Sequence, residues 1–208
     1  SAKQQLRYKS LFEGNYTAPN APERMNGPDD LDGVNRLFYS RGWTDGLPII
    51  PPTPARYEKM LSGTNFDENQ LLSLIEPRQG KATVGKVAIN AVMSGCLPEH
   101  LPVLVAVANA LGNSDLNLKA LNTTTHPCAV LAIISGPIVE EIDINSTYNA
   151  LGQGSLANAT IGRAVRSILL NIGGGTPGIL DRATMGSPAK ISFCFGERAD
   201  ESPWGETL

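Results

Sequence analysis

Two long blocks of apolar residues dominate the hydrophobic pattern, and both predict helices. Between Ala82 and Met93 nearly every position is apolar or small, which is typical of a helix buried on all sides. A similar block from Ala157 to Ile172 runs into three consecutive glycines, which stop a helix. A third helix is expected to open at Pro98 and to end near Leu111, because proline suits the first helical position.

Shorter apolar runs predict the strands. We expect strands at Leu116 to Leu121, at Cys128 to Ser135 and at Ile191 to Phe195, with the second one buried on both faces. Two short helices should precede this region, one capped by Asp29 to Asp32 and running to about Tyr39, the other from Ala55 to Leu61. Helices and strands that alternate in this way indicate an α/β fold.

Length and composition favour a single compact domain. The chain has 208 residues, of which 41% are hydrophobic and 18% are charged. We assign residues 1–41 to an N-terminal segment that wraps around the body or a partner, and residues 42–208 to the α/β core. The proline-stiffened string Gly42 to Pro54 opens that core.

Charge and cysteine content exclude several classes of function. The net charge is −3 and no cluster of Lys or Arg occurs, so binding to nucleic acid or to an anionic membrane is not expected. The apolar runs are too short to span a bilayer. Three widely spaced cysteines fit free thiols in a reducing compartment, and the first residues, SAKQQLRYKS, contain no apolar signal segment. We therefore expect a cytoplasmic protein.

The two long helices open with similar strings, which suggests an internal repeat. ATVGK at residues 82–86 matches ATIGR at residues 159–163, and each helix is followed downstream by a proline and a strand. We infer two pseudo-symmetric helix-loop-strand units, at about 82–136 and 159–197, with one additional helix in the first. The alternative is two unrelated helices that both begin with small residues.

If the repeat is real, the two helix starts could lie close together and form an anion site. Each start carries a threonine and a cation, Lys86 in one unit and Arg163 in the other. Helix N-termini offer unpaired N–H groups and the positive end of the helix dipole. The preceding string GQGSLAN would then be a glycine-rich cradle for a polar ligand, or alternatively a tight turn with Asn158 as the helix N-cap.

Two residues are candidates for catalysis. His126 follows a run of amide and hydroxyl side chains, so it could be a general acid or base, or could simply cap the next strand. Cys96 lies in a turn after the first long helix and could be a nucleophile, or an inert buried thiol. Asp45, Asp181 and Arg182 could each line a pocket, although for Asp181 and Arg182 an ion pair that secures a loop is favoured.

Candidate ligands to a small substrate share polar side chains or glycine flexibility near these strings. They are Lys86, Asn122, Thr124, Thr125, Gly152, Gly154, Asn158, Thr160 and Arg163. No metal site is expected, because the chain has two histidines and no His/Cys/carboxylate cluster with ligand spacing. The sequence names no cofactor.

Several strings together resemble a known family. GWTDGLPIIPPT, TTTHP, ALGQGSLANATIGRA and DRATMGSP are similar to strings in the UGSC family of bacterial proteins, some of which carry a Cys/Sec-Gly-Ser-Cys segment. This chain lacks that segment. The resemblance implies thiol or selenol chemistry in the longer relatives, and a partner subunit that supplies the reactive group here.

The sequence thus predicts a subunit of a cytoplasmic, oligomeric enzyme that acts on a small anionic or polar molecule. The reaction would be bond cleavage or reduction, assisted by a thiol or by acid/base catalysis. The alternative is a non-catalytic structural subunit of a hetero-oligomeric complex.

Overall fold

The computed structural model describes residues 24–203, and within them the chain is a mixed α/β structure with a predominance of helix. The helices are α1 (Leu31–Arg41), α2 (Pro54–Leu61), α3 (Val84–Ser94), α4 (Leu101–Ala110), α5 (Leu118–Thr123), α6 (Ile138–Glu141) and α7 (Leu156–Asn171). The strands are β1 (Leu71–Ile75), β2 (Gly80–Thr83), β3 (Ala132–Ile134) and β4 (Cys194–Gly196). Short 3₁₀ turns occupy Pro98–His100, Ser114–Leu116, Pro188–Lys190 and Ala199–Glu201.

The core is built around α3 and α7, the two helices predicted from the long apolar blocks. Their facing sides carry small and branched residues that are fully buried, namely Val87, Ala88, Ala91, Ile161, Ala164 and Ile168. Both predictions are confirmed, because a helix with apolar residues on most faces can only be stable inside a protein. The predicted helix that opens at Pro98 is also confirmed, as the 3₁₀ turn that leads into α4.

A short ladder of polar contacts shows that α3 and α7 run antiparallel. The Asn171 amide donates to the Asn90 side-chain oxygen at 2.8 Å, and one turn away the Ser94 and Ser167 hydroxyls are 3.2 Å apart. Residue numbers rise along α3 as they fall along α7. The start of each helix therefore lies beside the end of the other.

Two small sheets flank this helix pair. β1 and β2 form an antiparallel hairpin that leads directly into α3, and β3 pairs with β4 in parallel, with Ile133 opposite Phe195. β4 is held against α7 at Gly162, where a Cβ would lie 2.6 Å from the backbone nitrogen of Phe193. Only glycine allows this close approach.

Two strand predictions are wrong. Leu116 to Leu121 is not a strand, because a 3₁₀ turn and helix α5 occupy this part of the chain. The predicted strand Cys128 to Ser135 shrinks to the three residues of β3, and it is not buried on both faces, since Ile133 is 53% exposed. The last predicted strand begins later than expected, at Cys194.

Both short N-terminal helices are confirmed. Asp30 caps α1 as predicted, since its carboxylate accepts from the Gly33 amide at 2.7 Å. The predicted wrapping segment, residues 1–41, lies largely outside the described residues; its last part is α1, which has no buried residue. No helix between residues 24 and 203 is long and apolar enough to cross a membrane.

The structure does not confirm the internal repeat. α3 follows directly from strand β2, whereas α7 follows an irregular segment that begins after Ile142. The surroundings of the two helix starts are therefore different, although both helices are capped by a hydroxyl side chain, Thr83 in α3 and Ser155 in α7.

Candidate functional site

The paired anion site expected at the two helix starts does not form. Because α3 and α7 are antiparallel, Lys86 lies at one end of the helix pair and Thr160 and Arg163 lie toward the other. The separation is close to the length of α3, whose 11 residues span about 16 Å. Lys86 instead donates to the carbonyl of Lys81 at 3.2 Å, and burial, with a contribution from Lys81, lowers its pKa.

Arg163 is already neutralised within the fold. Its Nε and Nη2 donate to the two carboxylate oxygens of Asp45 at 2.7 and 3.0 Å, and Nη2 also donates to the carbonyl of Pro48 at 2.8 Å. This bidentate pair secures the GWTDGLP string against α7. Arg163 therefore has a structural contact where we expected a ligand contact.

The glycine-rich string before α7 is closed by Asn158 rather than open to a ligand. The Asn158 amide is 2% exposed; its oxygen accepts from the Asn145 backbone and from Ser155, and its nitrogen donates to the carbonyls of Asn145 and Ala150. An amide makes about four such bonds, so its capacity is filled. The N-cap of α7 is Ser155, which corrects the assignment to Asn158.

The remaining predicted ligands in this region do not converge on a pocket. Gly152 and Gly154 are exposed, and a Cβ at Gly152 would collide with the Asn149 side chain. The Thr160 hydroxyl donates to the Leu156 carbonyl at 2.8 Å and lies 3.5 Å from Nδ1 of His100. These contacts stabilise the first turns of α7.

Cys96 does not have the environment of a nucleophile. It is buried, and burial raises the pKa of its thiol to about 12. The attacking species in thiol catalysis is the thiolate, which such a thiol does not form near neutral pH. Cys194 is buried as well, and burial raises its pKa to about 12. The predicted catalytic role of Cys96 is therefore not supported by its surroundings.

A different set of residues forms the open site, on the side of α7 that faces α5 and β3. A small pocket there is lined by polar and charged side chains together with apolar ones. Its lining residues are Leu121, Asn122, Cys128, Ala129, Val130, Gly162, Val165, Arg166, Leu169, Ala189 and Lys190. We call it the Arg166 pocket. Of the predicted ligands, only Asn122 lines it.

Three charged side chains meet at this pocket. Arg166 Nη2 and Lys190 Nζ both contact the same oxygen of Asp181, at 2.8 and 3.0 Å. The side chains are only 12%, 13% and 5% exposed, respectively. Two cations thus share one carboxylate, and within residues 24–203 the ion pairs of the cluster leave one positive charge unmatched in a poorly solvated place. Such a charge is costly without an anionic partner.

Arg166 also retains unused hydrogen-bond donors. Its Nη2 donates to Asp181 and to the carbonyl of Gly175, whereas Nε and Nη1 donate to no acceptor within residues 24–203. Asn122, 3% exposed, donates to the carbonyl of Glu76, and its side-chain oxygen accepts from no residue of the same range. Buried polar groups are normally paired with protein or ordered water, so these atoms have capacity for a further partner.

The segment that carries His126 forms the rim of the pocket. The carbonyls of Thr125 and Cys128 accept from the Thr184 amide and from Lys190 Nζ, both at 3.0 Å. These bonds fix the segment against the one that supplies Lys190. His126 is exposed, and its Nδ1 lies 3.3 Å from the Thr124 hydroxyl. His126 is not among the residues that line the pocket, but it lies two positions before Cys128, which is.

Sequence reasoning missed Arg166 and Lys190 and misassigned the partner of Asp181. Asp181 binds these two cations, whereas Arg182 is exposed. One signal could have identified Arg166: a charged residue inside an otherwise apolar helix needs a buried partner. Nothing local in the sequence points to Lys190.

No group of three or more His, Cys, Asp or Glu side chains in the described part of the chain could hold a metal ion. The donors at the Arg166 pocket are mainly cationic, which suits an anion rather than a cation. Comparisons of the chain with protein-family models, with curated proteins and with solved structures found no match.

Proposed function

We propose that this protein binds a small anion, or the anionic group of a small polar molecule, in the Arg166 pocket. The observation that carries the proposal is that two largely buried cations, Arg166 and Lys190, share the single carboxylate of Asp181 while Arg166 has unused N–H donors. A carboxylate or phosphate oxygen would accept those donors and balance the charge.

The shape of the pocket limits what can bind. Its volume is about 10 Å³, room for about one water-sized group, so a ligand would place only an oxygen of its anionic group inside and keep the rest outside. Asn122 presents an unused amide oxygen, so a ligand that also carries an N–H or O–H donor would fit best.

We extend the proposal to a subunit of a cytoplasmic enzyme that cleaves or reduces a bond in this ligand. Two groups beside the pocket support that chemistry: the exposed thiol of Cys128 and the exposed imidazole of His126, a side-chain type that often acts as a general acid or base. The resemblance to the UGSC family supports a partner subunit that carries a reactive thiol or selenol. We also keep the internal repeat as part of this proposal. The last strands of the two predicted units, β3 and β4, pair with each other in parallel, which supports the repeat.

Isothermal titration calorimetry with inorganic phosphate tests the binding site directly. Arg166→Met should weaken phosphate binding at least tenfold, because it removes the unused donors and one positive charge. Arg56→Met is the matched control: Arg56 is an exposed arginine that, within the described part of the chain, donates only to the Pro51 carbonyl, and its loss changes net charge by the same amount. Equal phosphate affinity in the two variants would overturn the proposal.

One observation favours the alternative, a non-catalytic structural subunit. The outer face of the β3–β4 sheet exposes Ile133, and parallel sheets are normally covered on both faces. An Ile133→Asp variant that loses a partner or an oligomeric state in light scattering, while Arg166→Met has no effect on phosphate binding, would favour this function.

A further inference from the structure

We propose that Cys128 is a charge-selective reactive thiol that forms mixed disulfides with small anionic disulfides held in the Arg166 pocket. This inference rests on the proposed anion site and adds the chemical class of its substrate: a small thiol or disulfide that carries a carboxylate and an N–H donor.

The three cysteines of the chain differ sharply in accessibility. Cys128 is exposed and lines the pocket, whereas Cys96 and Cys194 are buried in the core. Thiol–disulfide exchange requires that the thiolate reach a sulfur atom of the substrate along the S–S axis. Of the three cysteines, Cys128 is the one whose side chain solvent reagents can reach in the folded chain.

Both cations belong to the pocket lining that includes Cys128, and one of them contacts its backbone. Lys190 Nζ donates to the Cys128 carbonyl at 3.0 Å, and Lys190 and Arg166 line the same pocket as Cys128. The bond from Lys190 also fixes the backbone of Cys128 relative to the cluster. An anionic group bound by Arg166 would therefore hold the rest of its molecule near the thiol, which raises the effective concentration of a disulfide there.

The buried Asn122 amide narrows the class of ligand that suits the pocket. Asn122 is buried and its side-chain oxygen accepts no hydrogen bond within residues 24–203, while Nε and Nη1 of Arg166 donate none there. The residues that line the pocket thus include donors for an anion and an acceptor for an N–H group. Small peptides with a cysteine and a carboxylate combine these groups in one molecule.

The exchange step balances without a further reagent. The Cys128 thiolate attacks one sulfur of the disulfide R–S–S–R, a new Cys128–S–S–R bond forms, and the original S–S bond breaks. R–S⁻ leaves with the electron pair and takes a proton from solvent, and the proton of the Cys128 thiol passes to solvent. Cys128 is oxidised and one half of the disulfide is reduced.

Three disulfides of different charge provide the test: oxidised glutathione, which is anionic, 2-hydroxyethyl disulfide, which is neutral, and cystamine, which is cationic. Rates of mixed-disulfide formation at Cys128 are measured on the full chain by mass spectrometry. We expect the anionic reagent to react at least tenfold faster than cystamine. Cys128→Ser should abolish modification of the folded protein.

Variants of the pocket show whether the cations cause this preference. Arg166→Met should reduce the ratio of anionic to cationic rates at least fivefold, and Asp181→Asn should increase it, while Arg56→Met should leave it unchanged. Because Arg166→Met and Asp181→Asn change the ratio in opposite directions, a general loss of structure cannot mimic the result.

The outcomes separate this inference from the proposed function. If phosphate binds in an Arg166-dependent way but the ratio stays near one in every variant, the inference is overturned and the anion site stands. If phosphate does not bind and the ratio is also near one, both fail. Modification of Cys96 or Cys194 in place of Cys128 in the folded chain would overturn the inference as well.

Discussion

Arg163 and Arg166 lie one helical turn apart on α7, and the fold treats them in opposite ways. Arg163 has a carboxylate of its own, Asp45, with two matched hydrogen bonds. Arg166 shares Asp181 with Lys190 and leaves part of its guanidinium unused. The comparison shows that the same residue type on the same helix can be a structural tie or an open binding group, depending on how many cations each carboxylate must serve.

The largest expected effect is on the free energy of unfolding, at the Arg163–Asp45 ion pair. Arg163→Met should lower the free energy of unfolding by about 3 kcal/mol, because it leaves the buried Asp45 carboxylate without its cation. Arg166→Met should cost only about 1 kcal/mol, since Asp181 keeps Lys190. Urea unfolding followed by circular dichroism measures both values. Equal losses in the two variants would contradict the view that Arg163 is needed to neutralise Asp45 whereas Arg166 is not needed to neutralise Asp181.

The pH dependence of stability should also separate the two sites. Burial alone would raise the pKa of Asp45, but the hydrogen bonds and charge of Arg163 outweigh it and lower that pKa below its ordinary value of 3.8. A carboxylate with a lowered folded pKa stabilises the fold above its unfolded pKa and loses that contribution as pH falls through the folded value.

We therefore expect the stability difference between the wild type and Asp45→Asn to stay constant from pH 7 to about pH 5, and to shrink once the pH drops below about 4. Unfolding curves collected at a series of pH values test this expectation. A difference that already shrinks between pH 7 and pH 6 would show that a group other than Asp45 is responsible.

Of the two aspartates, Asp181 and Asp45, only the removal of Asp181 should change the affinity for phosphate. Asp181→Asn leaves Arg166 and Lys190 with no carboxylate, so phosphate should bind on the order of tenfold more tightly, about 1.4 kcal/mol. Asp45→Asn should leave phosphate affinity unchanged, because Arg163 is not part of the pocket. Titration calorimetry measures both constants. Tighter binding in both variants would indicate a general charge effect instead of a local site.

The smallest effect is expected from a substitution at the N-cap of α7, the helix that carries both Arg163 and Arg166. Ser155 caps α7, and Ser155→Ala should lower the free energy of unfolding by about 1 kcal/mol because the Asn158 backbone N–H loses its acceptor. Phosphate affinity should not change, since the helix end lies away from Arg166. A marked loss of phosphate binding would mean that the pocket depends on the N-terminal turns of α7.

The sequence predicted the helices of the core because their signals are strong and local. α3 and α7 are long, apolar on most faces and bounded by glycines, so no distant contact is needed to recognise them. The strand predicted at Leu116 to Leu121 failed because its apolar residues alternate over a short span. In the structure Leu118 and Asn122 are the buried positions of α5, and this spacing of four is helical.

The site was harder to predict because it depends on contacts between distant parts of the chain. Arg163 and Asp45 are 118 positions apart, and nothing near either residue shows that they pair. Once Asp45 is assigned to Arg163, Arg166 becomes the open cation, but that assignment requires the fold. Asn122 could be predicted, because an amide among hydroxyl side chains is a common pocket residue, and it does line the pocket.

The close approach at Gly162 has a consequence for how a ligand would bind. Ser192 donates to the carbonyls of Asn158 and Ala159, and the Phe193 backbone lies directly against Gly162, so the segment just after Lys190 is joined to α7. The two walls of the pocket therefore keep their spacing before any ligand arrives. If the proposed anion binds there, the loss of conformational entropy in the pocket walls would already have occurred during folding and would not weaken binding.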